Sequence, residues 1–428
     1  MSMFALLFSL IFFVVLSVPL CFSLGASCII YLLLGNPAFI AMIPQRIWSG
    51  TNTYVMIALP LFIMAGELMN RGGITKRIID FSLYLVKPIK GGLGEVNIVA
   101  SMIFGGISGS SVADTSAIGS VLIPQMIKKG YGKGFSSGIT VASSTMGMII
   151  PPSVPMLTYA MVSGSSVGDL FLAGLIPGIL IGLSQIIMVR IISRKHNYDS
   201  FESGSFTFKG FMTASKDGIL AIIMPLLIVI SITFGIATAS ESAGVAVLYA
   251  LLIGFFVYRE LRMKDQPRIL KRTVLSSSAV MIVIGFSMIF GWIMAMEQVP
   301  GMLADFFMGL NINRIWILLI LNIFILFVGT FIDVTPALLL LSPILIPVMK
   351  HFGIGELQFG AIMIVGLAIG LVTPPVGMCL NAANKISGMS IIQIFKNALS
   401  FILCNIVVLL LVTFVPEVSL FVPGLLRK

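Results

Sequence analysis

Charge is scarce in this 428-residue chain: Asp, Glu, Lys and Arg together make up only 10% of it. A soluble domain carries about a quarter charged residues, so an ordinary water-soluble fold is excluded. Histidine is nearly absent, with His196 and His351 the only two, and both fall in loops. Gly106-Ile107-Ser108-Gly109 fits the GxSG pattern of rhomboid-type intramembrane proteases. A serine nucleophile needs a base within hydrogen-bond reach, and neither histidine supplies one. The GxGD signature of intramembrane aspartyl proteases, which work through two acids sharing a proton, is missing as well. No GxxxxGK[ST] loop occurs, so the chain itself does not use ATP. The ~10-residue alternating segments of an outer-membrane barrel are also lacking. The four cysteines, Cys21, Cys28, Cys379 and Cys404, have no metal-ligand spacing and read as small core residues.

What the chain has in abundance is apolar sequence: 58% hydrophobic residues and a mean hydropathy of +1.11. It lies in repeated runs of roughly 18 to 25 residues, the length a helix needs to cross ~30 Å of hydrocarbon. The chain therefore reads as an all-α polytopic membrane protein. Residues 1–24 lack a basic n-region and a clear cleavage site, which predicts a retained first helix and not a removed signal peptide. The expected spans are 3–24, 26–43, 53–70, a hairpin 96–126, 135–160, 169–190, 219–237, 240–258, 274–297, a second hairpin 316–349, 357–383 and 399–425. The basic stretch 71–90 is too charged to span and is expected to lie along the interface.

The net charge of +10 follows from cytoplasmic loops and not from nucleic-acid binding. Loops 190–216 and 259–272 are the most basic, and about 40 apolar residues separate them, enough for one down-and-up pair. Placing both in the cytoplasm puts 21 of the 26 basic residues inside, and Arg46, Arg314, Lys350, Arg427 and Lys428 outside. The bias predicts N-out and C-out termini in a bacterial inner membrane. It also requires 96–126 and 316–349 each to enter and leave on one side, as re-entrant hairpins.

Self-comparison is the most informative reading. Leu122-Ile123-Pro124-Gln125-Met126 recurs as Leu345-Ile346-Pro347-Val348-Met349, an offset of 223 residues. At the same offset Pro151-Pro152 recurs as Pro374-Pro375, and Gly106, Gly130, Gly132 and Gly147 recur as Gly329, Gly353, Gly355 and Gly370. Ile63-Met64-Ala65-Gly66-Glu67 is echoed by Ile293-Met294-Ala295-Met296-Glu297 at offset 230. The two hairpins enter from opposite sides in this topology, which defines an inverted-topology repeat of the kind found in secondary transporters. Four units follow: 1–95 and 191–315 as scaffold and arms, and 96–190 and 316–428 as the two transport halves.

Each half carries a polar hairpin tip and a Pro-Pro break. Consecutive prolines remove amide donors and clash with the preceding turn. Carbonyls freed at membrane depth need partners, which a desolvated Na⁺ together with Ser, Thr and Asn oxygens supplies. Half-helix N-termini present amides to a carboxylate substrate. Symmetry predicts at least two cation sites, one per half, flanking an anion site. Asp114 and Asp333 are the intramembrane carboxylates, and they fit either ion binding or the capping of half-helices. Under the 223 offset they match Ala337 and Ser110, so the two sites differ chemically. Glu67 and Glu297 read as structural residues at helix ends, and Glu241 fits a scaffold contact or transport equally.

At Gly106-Ile107-Ser108-Gly109-Ser110-Ser111-Val112-Ala113-Asp114, Met148-Ile149-Ile150-Pro151-Pro152-Ser153 and Val372-Thr373-Pro374-Pro375-Val376-Gly377, the sequence resembles the large membrane subunit of the tripartite ATP-independent periplasmic (TRAP) transporters. The match covers essentially the whole chain. The resemblance implies an elevator mechanism coupled to Na⁺, with no other cofactor. It further implies a small four-helix membrane subunit, a periplasmic binding protein that delivers an organic acid, and a brace at 71–90 for the moving domain. The acid is expected to be of the sialic-acid or C4-dicarboxylate type. Repeat and resemblance together assign cation binding to Ser108, Ser110, Ser111, Asp114, Gly329, Asp333, Thr335, Thr373, Gly377 and Met378. Substrate binding is assigned to Ser144, Pro152, Ser153, Thr158, Pro375 and Asn381. The rival readings are a passive channel, for which paired broken helices are foreign, and the intramembrane protease set aside above.

Overall fold

The computed structural model describes residues 2–16, 18–86, 92–196, 198, 208–309 and 313–426. Lys87, Lys90, Arg427 and Lys428, which entered the loop-charge reading, lie outside these. Among the described residues all regular structure is helical, and seven helices are long and apolar enough to cross a membrane. This is the all-α polytopic architecture expected from composition.

The outer helices of the first half are α1 (Ser2–Val15), α2 (Leu20–Gly35), α3 (Ile43–Thr51), α4 (Tyr54–Arg71) and α5 (Ile74–Val86). Then come a hairpin, α6 (Gly92–Ser108) and α7 (Ser111–Lys128), and a broken helix, α8 (Lys133–Ser143), α9 (Met146–Ile149) and α10 (Val154–Ser163). The long α11 (Val167–His196) closes this half. The second half runs α12 (Phe208–Thr233), α13 (Ala239–Leu252), α14 (Gln266–Met296), α15 (Val299–Gly309) and the hairpin α16 (Arg314–Phe331) and α17 (Val334–His351). It ends with α18 (Glu356–Gly370), α19 (Met378–Ser387), α20 (Ile391–Phe414) and α21 (Glu417–Leu426).

Helix boundaries repeat as the sequence does. Carried forward 223 residues, the end of α6 at Ser108 lands on Phe331, and α7 lands on Val334–His351 at both ends. The start of α8 at Lys133 lands on Glu356, the start of α18. The halves also interlock reciprocally: α7 packs on α19 while α10 packs on α17, and α8 packs on α20 while α11 packs on α18. Each hairpin thus rests on the other half's broken helix. The helices α4 and α14 pack on one another outside this body, and α13 packs on α4, α2 and α3 on α14.

Of the span boundaries that differ from the expected ones, three have a local cause. The break expected at residues 24–26 lies inside α2, and the chain breaks instead just before Pro19, which caps α2. Gly25 is there for close packing and not for a turn, since a Cβ on it would lie 2.6 Å from the Phe286 ring. Apolar residues 36–43 leave the helix because Asn36 accepts from the Ala38 amide and starts a 3₁₀ turn, Pro37–Met42. The last span stops at Phe414, where Val415 is extended before Pro416, as a residue preceding proline prefers. The interfacial stretch contains α5, which buries Ile74, Ile78, Ile79, Ser82 and Val86 along one stripe against α6 and α12.

A buried carbonyl of α8 is tied to both halves. Ala142 O accepts from Gln185 Nε2 at 3.1 Å and from Asn405 Nδ2 at 3.3 Å, and Gln185 also donates to Asn405 Oδ1 at 2.7 Å. Interhelical hydrogen bonds in membranes are worth about 0.6–2 kcal/mol each. Asn405→Leu is therefore expected to destabilise the fold by about 1–2 kcal/mol, read as a lower unfolding temperature in detergent. An unchanged temperature would mean that Gln185 and the Thr145 hydroxyl, which donates to the same carbonyl at 2.8 Å, suffice.

Candidate functional site

The hairpin tips are built by capping. Ser110 caps α7, its hydroxyl accepting from the Ala113 amide at 3.4 Å, and Asp333 caps α17, Oδ1 accepting from the Val334 amide at 2.7 Å. Each cap gives one of the helix's unpaired first-turn amides a partner. Ser108 closes the first tip, exchanging hydrogen bonds of 3.3 Å with the Ser110 backbone. Gly109 turns the chain at φ +59°, and a Cβ there would sit 3.1 Å from the Val154 nitrogen, so the tip presses on its own half's break. In the second half the Val376 amide donates to Thr330 O at 3.3 Å, again joining tip to break.

The breaks are likewise organised locally. Both Pro-Pro peptide bonds are cis. Ser153 spans the first break, donating to Met148 O at 2.5 Å and accepting from the Met156 amide at 3.4 Å. The halves of that helix are bent by 41°. At the second break Gly377 adopts φ +48°, and Asn381 Nδ2 donates to Val376 O at 2.8 Å.

Both tips open onto one cavity of about 380 Å³. Ser108, Gly109 and Ser110 line it from the first hairpin, and Asp333 and Thr335 from the second. The first break contributes Met148, Val154 and Pro155. The remaining wall is the α4–α14 pair: Ile63, Gly66, Glu67 and Asn70 face it from α4, and Ser276, Ala279 and Val280 from α14.

The other assigned residues do not line this cavity. Asp114 is fully buried behind the tip: Oδ1 accepts from Ser101 at 3.3 Å, and Oδ2 has no hydrogen-bond partner among the described residues. Ser101 contacts Ser143 at 3.1 Å, Ser143 donates to Asn97 Oδ1 at 3.1 Å, and Asn97 donates to Thr140 at 2.6 Å, a wholly buried polar chain. Ser111 is buried beside it, its hydroxyl also without a partner. Ser144, Thr158 and Thr373 donate to carbonyls of their own helices, Val141, Val154 and Ile369. Pro152 is buried in the break; Pro375 and Asn381 are exposed, and Met378 is half-buried at the start of α19. Gly329 serves packing, since a Cβ on it would lie 2.9 Å from Leu367 O and 3.1 Å from Gly370 Cα.

Sequence reasoning took Glu67 for a structural helix-end residue and passed over Asn70 and the α14 residues. Ile63, Gly66, Glu67 and Asn70 follow i, i+3, i+4, i+7 spacing, and Ser276, Ala279 and Val280 follow i, i+3, i+4, so each set shares one helix face. A stripe mixing small and polar residues on an apolar helix was the available signal. Glu67 also meets Arg272 at 3.6 Å. Glu297 accepts from the Tyr31 hydroxyl, and Glu241 completes a capping box with Thr238, so both hold helix ends in place.

Fold and site together define a polytopic helical membrane protein with a cavity, lined by both polar and apolar side chains, between paired hairpin tips. A model of the family described as "Tripartite ATP-independent periplasmic transporter, DctM component" matches residues 7–418. The chain belongs to this family of TRAP transporter large permeases. It is 38% identical to the sialic acid TRAP transporter large permease protein SiaM of Vibrio cholerae, over 95% of each chain. It is 33% identical to the C4-dicarboxylate TRAP transporter large permease protein DctM of Pseudomonas aeruginosa, over 94% of each. Among solved structures, the YdaH transporter of Alcanivorax borkumensis shares the fold with a TM-score of 0.64 at 14% identity, covering 89% of this chain and 88% of that one.

Proposed function

We propose that the chain is the ion- and substrate-carrying subunit of a Na⁺-coupled importer of an organic acid, of the sialic-acid or C4-dicarboxylate type. The observation that carries this reading is the single cavity onto which both hairpin tips open, with hydroxyls from one and a carboxylate from the other. Asp333 and Thr335 supply hard oxygen ligands for one Na⁺, and the Ser108 and Ser110 oxygens supply those of another. Asp114, with an oxygen lacking a partner among the described residues, is a further place where a cation would relieve a buried carboxylate. Helix starts at both tips direct amides toward an anion held between the ions.

The interlocked hairpins and broken helices form one body, and the α4–α14 pair forms the wall it faces. We read the first as the moving part of an elevator and the second as scaffold, with α5 as its brace. The inverted reading of the repeat places the hairpins as re-entrant from opposite sides, with both termini outside an inner membrane. The tripartite, periplasmic character of the family and the relatives' description as large permeases support assembly with a small membrane subunit and a periplasmic binding protein that presents the acid.

The test is uptake by the complex reconstituted in proteoliposomes with sialic acid or succinate as the labelled acid. Uptake is expected to saturate with substrate and to collapse when the Na⁺ gradient is dissipated. Flux linear in substrate and indifferent to Na⁺ would support the channel reading instead.

A further inference from the structure

A second cavity of about 540 Å³ shares Glu67, Asn70 and Ala113 with the first, so the two adjoin across these side chains. Their charges differ. Glu67 and Asp333 face the first cavity, and no basic residue lines it among the described residues. The second sets Lys76 and Arg272 against Glu67 alone. An anion passing from one to the other moves from two carboxylates to an excess of positive charge.

The mouth lies at the basic end of the molecule. Arg77, on α5, pairs with Glu260 at 2.8 Å and stacks on the Tyr258 ring at 3.7 Å, fixing the turn after α4 to the segment before α14. The positive-inside bias assigns that end to the cytoplasm.

The side chains at the mouth are held loosely enough to exchange partners. Arg272 reaches Glu67 only at 3.6 Å, and its side chain is 56% exposed. Lys76 is exposed. The Thr75 hydroxyl donates to Asn70 Oδ1 at 3.0 Å, which leaves the Asn70 Nδ2 donors to the cavities.

We propose that this mouth is a carboxylate way station, at which Arg272 exchanges Glu67 for the carboxylate of the departing organic acid. Arg272 supplies the paired donors suited to a carboxylate, Lys76 a second charge and Asn70 an amide donor. Glu67 is the placeholder that keeps Arg272 out of the first cavity while the site is empty. The proposal rests on the reading that the cargo is an organic acid, and it adds a second anion site on the release side.

Ser120 lines the mouth and is exposed, so Ser120→Cys in the assembled complex reports on it. The reporter's rates of modification by anionic sulfonatoethyl and cationic trimethylammonioethyl methanethiosulfonate are measured above the background of the four native cysteines. The anionic reagent is expected to be favoured, and Lys76→Gln with Arg272→Gln is expected to lower the anionic-to-cationic ratio about five- to tenfold, from two charges acting across water-filled space. Succinate, against sodium chloride of matched ionic strength, is expected to slow modification of the reporter. Arg272→Gln should remove that protection and Arg272→Lys should keep part of it. A ratio unmoved by the double neutralisation, or equal protection with and without Arg272, overturns the proposal. Uptake is measured separately in the same proteoliposomes. Na⁺-driven uptake with an indifferent mouth refutes only the way station, whereas an anion-selective mouth without Na⁺-driven uptake refutes only the carrier reading.

Discussion

Asp333→Asn is expected to reduce Na⁺-driven uptake at least a hundredfold while leaving the complex assembled and its unfolding temperature within a degree or two of wild type. Asp333 does two things at the second hairpin tip: Oδ1 accepts the Val334 amide at 2.7 Å, and the carboxylate faces the shared cavity. Asparagine retains the capping oxygen and removes only the charge, since Asn and Asp rank alike as helix caps. Alanine removes both, so Asp333→Ala should lose uptake equally and destabilise by a further 0.5–2 kcal/mol or so. A desolvated monovalent cation draws most of its local compensation from the one formal negative charge beside it. The neighbouring Thr335 hydroxyl offers only a dipole. The deciding measurement is uptake against external Na⁺ for both variants, beside their thermal unfolding. Retained uptake with unchanged Na⁺ dependence in Asp333→Asn would reduce the carboxylate to a cap. An asparagine variant that fails to assemble would instead show that its charge is structural.

Much of the fold was legible because the chain encodes its architecture twice. The prolines and glycines at offset 223 mark where helices stop, turn and touch, and these points are the least tolerant of other residues. The tip residues of both hairpins were readable for the same reason, since Ser110 and Asp333 occupy capping positions that local sequence announces. What was not legible depended on rotation and on distant partners. Asp114 sits four residues beyond Ser110, yet it points behind the tip toward Ser101 and away from the cavity. Glu67 was read as a helix-end residue, and only the meeting of α4 with the hairpin tips shows it as cavity wall. The expected boundary at residues 24–26 falls inside α2, where Gly25 is set against the Phe286 ring, a contact that depends on a partner distant in sequence.

Gly370→Val is expected to prevent accumulation of folded complex, and Gly370→Ala to lower its stability by about 3 kcal/mol or more. Gly370, in the repeat position of Gly147, lies against Gly329 in the facing hairpin helix. A Cβ built on it would lie 2.5 Å from both Gly329 Cα and its carbonyl carbon, and 2.8 Å from Leu326 O. All three are backbone atoms, which no rotamer change can move aside. Overpacking in a well-packed core typically costs about 1–3 kcal/mol, and backbone neighbours place this position at or beyond the top of that range. Close backbone approach through small residues is also how membrane helices gain dispersion contact where apolar burial gives none. The first half repeats the device more loosely: a Cβ on Gly105 would lie 3.0 Å from Gly147 Cα. Gly105→Ala should therefore cost less than Gly370→Ala. Gly244 inside α13 is the control, since nothing lies within 4 Å of a Cβ there. Its change to Ala should be neutral or stabilising by up to roughly 1 kcal/mol. Thermal unfolding of the purified complex tests the series, and Gly370→Ala at or above the wild-type temperature would mean that α16 and α18 have room to part. The same contact anchors the second tip, only four residues past Gly329, to the helix that ends at the second break. Packing and the proposed ion site thus share one backbone junction, which is why a position bearing no side chain is expected to rank with Asp333 in its effect.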